Sequence, residues 1–208
     1  MTLSTYRTDA RRLLHDPNGD VWSDTTLNAF INEAVQKRDR ITACNRSLQT
    51  LTLVIGTDNY AFSLLTNTRV FDVVNVNIIT NGQRLILSRL SWSKLNARVR
   101  YLSPSWRGVP QAWALYGQST VYLAPAPSIA YSSEWDCCVY SAELTADGSD
   151  DSVNYPYTEP VKYYVAYLAK LNERRFDAAD DFLARFDKAC LDTAQATRGI
   201  VPNAYATR

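Results

Sequence analysis

GVPQAWALYGQSTVYLAPAPSIAYSSEWDCCVYSAEL, residues 108–144, is the stretch whose reading decides the fold. Ala112–Tyr116 and Thr120–Leu123 alternate apolar with smaller or polar side chains, and Gly117-Gln118-Ser119 between them is turn chemistry. Pro125 and Pro127 each remove a backbone donor and fix φ, so the second strand stops there. A third run, Glu134–Ser141, sets Trp135, Cys137 and Val139 on one face. The three runs predict a small antiparallel meander. The strands before it lead into the same sheet, and the chain after it returns to helix.

Upstream of the meander the hydrophobic period is two. Leu51, Leu53 and Ile55 alternate with polar or smaller residues, and Gly56-Thr57-Asp58-Asn59 turns the chain into Tyr60–Leu64. Val70–Ile79 follows, and Asn81-Gly82 is a strong hairpin signal, since both central residues of a type I′ turn need positive φ. It leads into Arg84–Leu87. Residues 90–102 suit a short amphipathic helix through Leu90, Lys94, Leu95 and Val99, and Ser103–Pro110 is an irregular arm bearing Trp106 and Arg107.

At both ends of the chain the period is helical. Tyr6, Ala10, Leu13 and Leu14 predict a helix over 4–14 with Ser4 as its cap. Asp16-Pro17-Asn18-Gly19-Asp20 is a turn; its glycine and its twelfth residue, Leu27, do not suit a calcium loop. The next helix has Ser23 as cap and Trp22 and Leu27 as a hydrophobic staple. Leu27, Phe30, Ile31, Ala34, Val35 and Ile41 form its apolar stripe, with Asn28, Asn32, Glu33, Lys37 and Arg40 facing away. Beyond the acidic run Ala146–Asp151, read as a solvated loop, Thr158-Glu159-Pro160 starts a helix carrying Val161, Tyr164, Val165, Leu168 and Leu171. A further helix from about Asp177 presents Ala179, Phe182, Leu183, Phe186, Cys190 and Ala194. Thr197–Arg208 has no periodicity. The predicted class is α+β: a helical bundle from the N- and C-terminal helices, an intervening antiparallel β-domain of about seven strands, and an extended C-terminal tail. The expected segments are 1–46, N-terminal helices; 47–145, β-domain; 146–196, a helical hairpin packing on the N-terminal helices; and 197–208, the tail.

A chain of 208 residues with 46% hydrophobic and 21% charged side chains can bury a substantial core. No apolar run is long enough to span a bilayer, and the first residues lack the apolar centre of a signal peptide, so synthesis in the cytosol is expected. Cys44, Cys137, Cys138 and Cys190 show no CxxC spacing and read as buried reduced thiols. His15 is the sole imidazole and has no partner set for nucleophilic catalysis. No P-loop, GxSxG or HExxH pattern occurs. The paired acids at Asp147–Asp151 and Asp180-Asp181 offer no rigid acid/base pair; Asp147, Asp150 and Asp151 are the candidates for weak cation binding. The expectation is a protein that is not an enzyme and uses no cofactor or structural metal.

The net charge of +1 is unevenly spread. Residues 73–133 hold six bases and no acid, whereas residues 134–208 hold 8 bases and 13 acids. That pattern predicts a basic face meeting an acidic one, with Arg84, Arg89, Lys94, Arg98, Arg100, Trp106 and Arg107 as candidate subunit-interface residues. Trp92 and Trp106 are the aromatic interface candidates, and Trp22, Trp113 and Trp135 fit core positions. No basic recognition helix is present, which argues against a sequence-specific DNA reader.

The order WSDTTLNAFINEAV, then GTDNYAF entering a sheet, then GVPQAWALYGQSTVYLAPAP, then two helices and a loose tail, resembles the head–tail adaptor (connector) proteins of tailed bacteriophages. The resemblance spans roughly residues 4–196 and implies a structural virion protein at the capsid vertex. It implies a ring, usually of twelve copies, between the portal protein and a tail tube, nozzle or stopper protein, with double-stranded DNA passing through the lumen and no membrane contact. It also implies that the C-terminal extension docks on the portal, making Ile200, Val201, Pro202, Tyr205 and Arg208 candidate portal-binding residues. The alternative is a β-rich carbohydrate- or receptor-binding module of a phage tail, to which the thirteen Tyr and five Trp would contribute.

Overall fold

The computed structural model describes residues 1–97 and 106–198. It is α+β, with five α-helices and mainly antiparallel sheets among the described residues. The chain divides into two compact units, one from residues 1–45 with 140 onward and one from residues 46–139.

The first unit holds α1 (Leu3–Leu14), α2 (Asp24–Thr42), α4 (Val161–Asn172) and α5 (Phe176–Arg198). Helix α4 packs on each of the other three, which is why its stripe of Val161, Tyr164, Val165, Ala166 and Ala169 is buried. Helix α1 is capped by Thr2, whose hydroxyl accepts from the Thr5 N–H, and not by Ser4. The Ser4 N–H instead donates to the Asp147 carbonyl and the Leu3 N–H to that of Ser149. The acidic run is therefore docked on the start of α1, where unsatisfied helical N–H groups seek acceptors, and is not a free solvated loop. Ser23 caps α2 as expected, and Ala43 closes it in the left-handed region at φ 50°. The stripe of α2 ends earlier than its apolar residues do: Ile41 is exposed, and the next inward position after Ala34 and Val35 is Arg38. Asn32 also faces inward, donating to the Leu144 carbonyl at 3.1 Å and accepting from its N–H at 2.8 Å. The amide thus serves the returning chain as a strand edge would. Leu171 is exposed on α4, where alanines fill the close approach instead.

Among the described residues the second unit contains ten strand segments and a short α3 (Trp92–Leu95). Strands β1 (Arg46–Leu53), β10 (Tyr131–Val139), β3 (Val70–Thr80) and β4 (Gln83–Ile86) form one sheet in that spatial order. Strands β2 (Asn59–Ala61), β8 (Thr120–Ala124), β7 (Ala112–Tyr116) and β5 (Ser88–Arg89) form a second, and β6 (Arg107–Gly108) and β9 (Ala126–Pro127) pair separately. The meander expectation fails at its third member. Strands β7 and β8 form the hairpin, but β10 crosses to the other sheet and inserts between β1 and β3. Two pairings, β5 with β7 and β6 with β9, are parallel. Asn81 at φ 49° and Gly82 at φ 74° make the β3–β4 turn.

Trp113 and Trp135 are fully buried in the core of this unit with Leu53, Val73, Val76, Ile78, Val121 and Leu123. The Trp135 indole N–H donates to Ser133 Oγ at 2.8 Å, which donates in turn to the Leu51 carbonyl at 2.6 Å. A buried donor is thereby tied to a buried acceptor across the β1–β10 pair. Register shifts on either side of Cys137-Cys138 leave both thiols buried, although adjacent strand residues ordinarily face opposite ways. Burial pushes the Cys137 thiol up to about 12. All four cysteines are free.

Candidate functional site

The sequence-nominated chemical groups are dispersed. His15 is an exposed residue closing α1 at φ 57°. Asp16 accepts from the backbone N–H groups of Asp20, Val21 and Trp22, the turn role expected of it. Desolvation opposes its ionisation, but those three donors and Arg11 hold its carboxyl below the usual carboxylate range. The acids of 147–151 do not converge on a common point. Asp147 pairs with Arg7, Asp150 with the terminal ammonium at 3.6 Å, and Asp151 with Arg38. Among the described residues no cluster of three His, Cys, Asp or Glu side chains could hold a metal ion. Asp181 pairs with Arg185 one turn away along α5.

What the first unit does build is a closed charge cluster. Arg38, Asp39 and Asp151 have side chains of zero exposure. The Arg38 guanidinium donates from Nη1 to Asp151 Oδ2 at 2.5 Å, from Nη2 to Asp151 Oδ1 at 3.2 Å, and from Nη2 to Asp39 Oδ1 at 2.7 Å. One cation faces two carboxylates, and the surplus negative charge is met by neutral donors. Tyr6 Oη donates to Asp151 at 2.7 Å, the Ser141 N–H to Asp39 at 2.7 Å, and the Val153 N–H to Asp151 at 3.1 Å. Desolvation alone would lower the Arg38 pKa, but Asp151 and Asp39 outweigh it and drive the value up. Burial also works against the Asp151 carboxylate, and Arg38 and Tyr6 outweigh it and hold its pKa down. Burial, aided by Asp151, keeps the Tyr6 phenol protonated well above its ordinary range. Every polar atom here is spent on another, so the cluster fastens α1, α2 and the 141–153 segment together and has no free valence for a substrate. The sequence signal was available: Arg38 stands on the α2 stripe, four residues after Ala34 and three after Val35.

The candidate interface residues lie in the second unit. Arg84 on β4 pairs with Glu134 at 2.8 Å. Arg89 on β5 pairs with Asp72 at 3.6 Å and lies 5.1 Å above the Trp113 ring. Both partners flank the acid-free stretch, Asp72 just before it and Glu134 just after. Lys94 and Arg107 make no ion pair among the described residues; the Arg107 guanidinium lies against Gly56. Trp106 is half-exposed. Trp92 packs on Tyr116 and Tyr122, each at 4.6 Å between centroids, so these rings use their faces on one another. Arg98 and Arg100 lie outside the described residues, as do Ile200, Val201, Pro202, Tyr205 and Arg208. No helix among the described residues is long and apolar enough to cross a membrane.

Compared with protein families, the chain matches the family described as SU10 adaptor protein over residues 1–206. No curated protein matches the chain.

Proposed function

Because this chain belongs to the SU10 adaptor family of structural bacteriophage proteins, we propose that it is a head–tail adaptor forming a ring between the portal and the tail. In this reading the virion holds it at the head–tail junction, double-stranded DNA passes through the ring without sequence-specific contact, and a tail tube, nozzle or stopper protein attaches beneath. The observation that carries the reading is the family match over residues 1–206. The near-neutral charge of +1 supports it, since each phosphate neutralised by a basic side chain would add affinity that a sliding duplex must break. A closed ring joins two different faces of each subunit, and Arg84, Arg89, Lys94, Arg98, Arg100, Trp106 and Arg107 are assigned to that contact. Thr197–Arg208 is the proposed portal-docking segment, with Ile200, Val201, Pro202, Tyr205 and Arg208 as its anchors.

The test is a pull-down from infected-cell lysate with tagged full-length chain and with a form ending at Ala196, read by mass spectrometry. Portal protein recovered with the full-length chain alone supports both the adaptor and the docking segment. Portal recovered with both forms keeps the adaptor and moves its contact to the folded part. If neither form recovers a capsid or tail protein, the adaptor reading falls. The carbohydrate-binding alternative is then the reading to test, with the half-exposed Trp106 as the first place to probe glycans.

A further inference from the structure

Among the described residues, the sheet of order β1-β10-β3-β4 ends in an edge strand on each side. An edge strand directs unpaired N–H and C=O groups outward, and proteins commonly blunt it with lysine, proline, a bulge or an inward charge. Strand β1, RSLQTLTL, has neither lysine nor proline, and its one charge, Arg46 at the first position, is turned onto Asp136 of β10. Its pairing with β10 is regular over all eight residues, and the sheet's register shifts lie on the β10–β3 side. Its inward positions are Ser47, Gln49, Leu51 and Leu53, with no charge among them. About half of an antiparallel edge strand's residues aim their backbone groups away from the one partner it has.

The far edge is complementary in direction. All three pairings in this sheet are antiparallel, so β1 and β4 run opposite ways. The β4 edge of a second copy laid against β1 therefore continues the antiparallel alternation. Such a contact joins two different edges and leaves the pair with one free edge of each kind, the head-to-tail arrangement that generates a ring when the rotation closes.

The side chains agree with that placement. Leu48 on β1 and Ile86 on β4 are 63% and 74% exposed on the same outer face. With Ile86 of one copy opposite Leu48 of the next, Arg84 falls opposite Thr50. The partner of Thr50 on β10 is Glu134, and that of Leu48 is Asp136. Glu134 already receives its own Arg84 from the β3 side; the neighbour's Arg84 approaches the same acidic strand from the β1 side, past a small threonine. Asp136 is already held by Arg46 of β1, so the one acid the neighbour's Arg84 could reach is Glu134, shared with the copy's own Arg84.

We propose that successive copies of this chain join by adding the β4 edge of one to the β1 edge of the next. The inference rests on the ring reading and supplies its contact surface. The test mixes full-length chains carrying Leu48→Cys with differently tagged chains carrying Ile86→Cys, both with Cys44→Ser, and treats them with a short bis-maleimide. Cross-links between the two kinds of chain, and covalent ladders from the double variant, are expected. Leu48→Lys is expected to weaken assembly by about tenfold or more while leaving the monomer folded. An oligomer that gives no mixed cross-link, or gives only Leu48→Cys self-links, overturns the edge pairing and leaves the ring intact. A chain that stays monomeric and uncross-linked at its highest attainable concentration also overturns it; the ring reading then stands or falls on the portal pull-down alone.

Discussion

Replacing Arg38 with alanine removes the one cation from the buried cluster. The guanidinium donates to both Asp39 and Asp151, and neither carboxylate has any exposure through which water could replace it. After truncation Asp39 keeps the Ser141 N–H, and Asp151 keeps Tyr6 Oη and the Val153 N–H. Those neutral donors do not balance two buried charges. Breaking a buried pair in this way costs about 3–5 kcal/mol, against a total stability of roughly 5–15 kcal/mol for a domain. At roughly 2–4 °C per kcal/mol for a chain of this size, the melting temperature falls by about 6–20 °C. Far-UV circular dichroism during urea unfolding is the suitable assay, because every long helix belongs to the unit that contains the cluster. The double variant Arg38→Met with Asp151→Asn removes one charge of each sign. It is expected to be more stable than the sum of its single losses by about 1 kcal/mol or more. A loss below about 1 kcal/mol for Arg38→Ala, as an exposed pair would give, refutes the view that the cluster holds the helices together.

Two further outcomes follow from the same reasoning. Acid should loosen the helical unit through Asp151, whose folded pKa lies below its unfolded value near 3.9. Its contribution is present above that unfolded value and lost as pH falls through the folded one, so Asp151→Asn should be less stable at neutral pH with a flatter acid slope. Equal slopes in both proteins would remove Asp151 as the acid-sensitive group. In the β unit, Ser133→Ala strands both the Trp135 indole N–H and one bond to the Leu51 carbonyl, and is expected to cost about 1–3 kcal/mol by tryptophan-monitored unfolding. A change within about 0.5 kcal/mol would mean the relay carries no net stabilisation.

Local chemistry made parts of the fold legible and long-range pairing hid the rest. The Ser23 cap, the Asn81-Gly82 turn and the Gly117 turn are fixed within a few residues by φ and by unsatisfied N–H groups, and each occurs where the sequence puts it. The destination of β10 is not local. Its alternation identifies a strand, but Tyr131–Val139 serves equally as a third meander strand or as the centre of another sheet. Pairing with Arg46–Leu53, some eighty-five residues earlier, is decided by which core the Trp135 face completes. The same limit produced the misplaced cap on α1. Ser4 is a good N-cap by type, yet the cap falls two residues earlier, at Thr2, where carbonyls from residues 147 and 149 accept the first helical N–H groups.

The charge pattern shows why composition along the chain is a weak guide to a surface. Residues 73–133 contain no acid, which by itself predicts an uncompensated basic face. The fold brings in carboxylates from just outside both borders, Asp72 of β3 to Arg89 of β5, and Glu134 of β10 to Arg84 across β3. What remains is directional: Arg84 keeps a side chain 64% exposed at one edge of the sheet, while Glu134 sits one strand in from the other and Asp136 near it is held by Arg46 of the edge strand. A field that cancels within one copy can still orient two copies, because electrostatic complementarity acts through position as well as through sum. The useful sequence signal was therefore the placement of charges by strand and face. Neutrality over the whole chain and polarity across one sheet are compatible, and the proposed ring, recognising its own neighbour while leaving DNA free to slide, would need both.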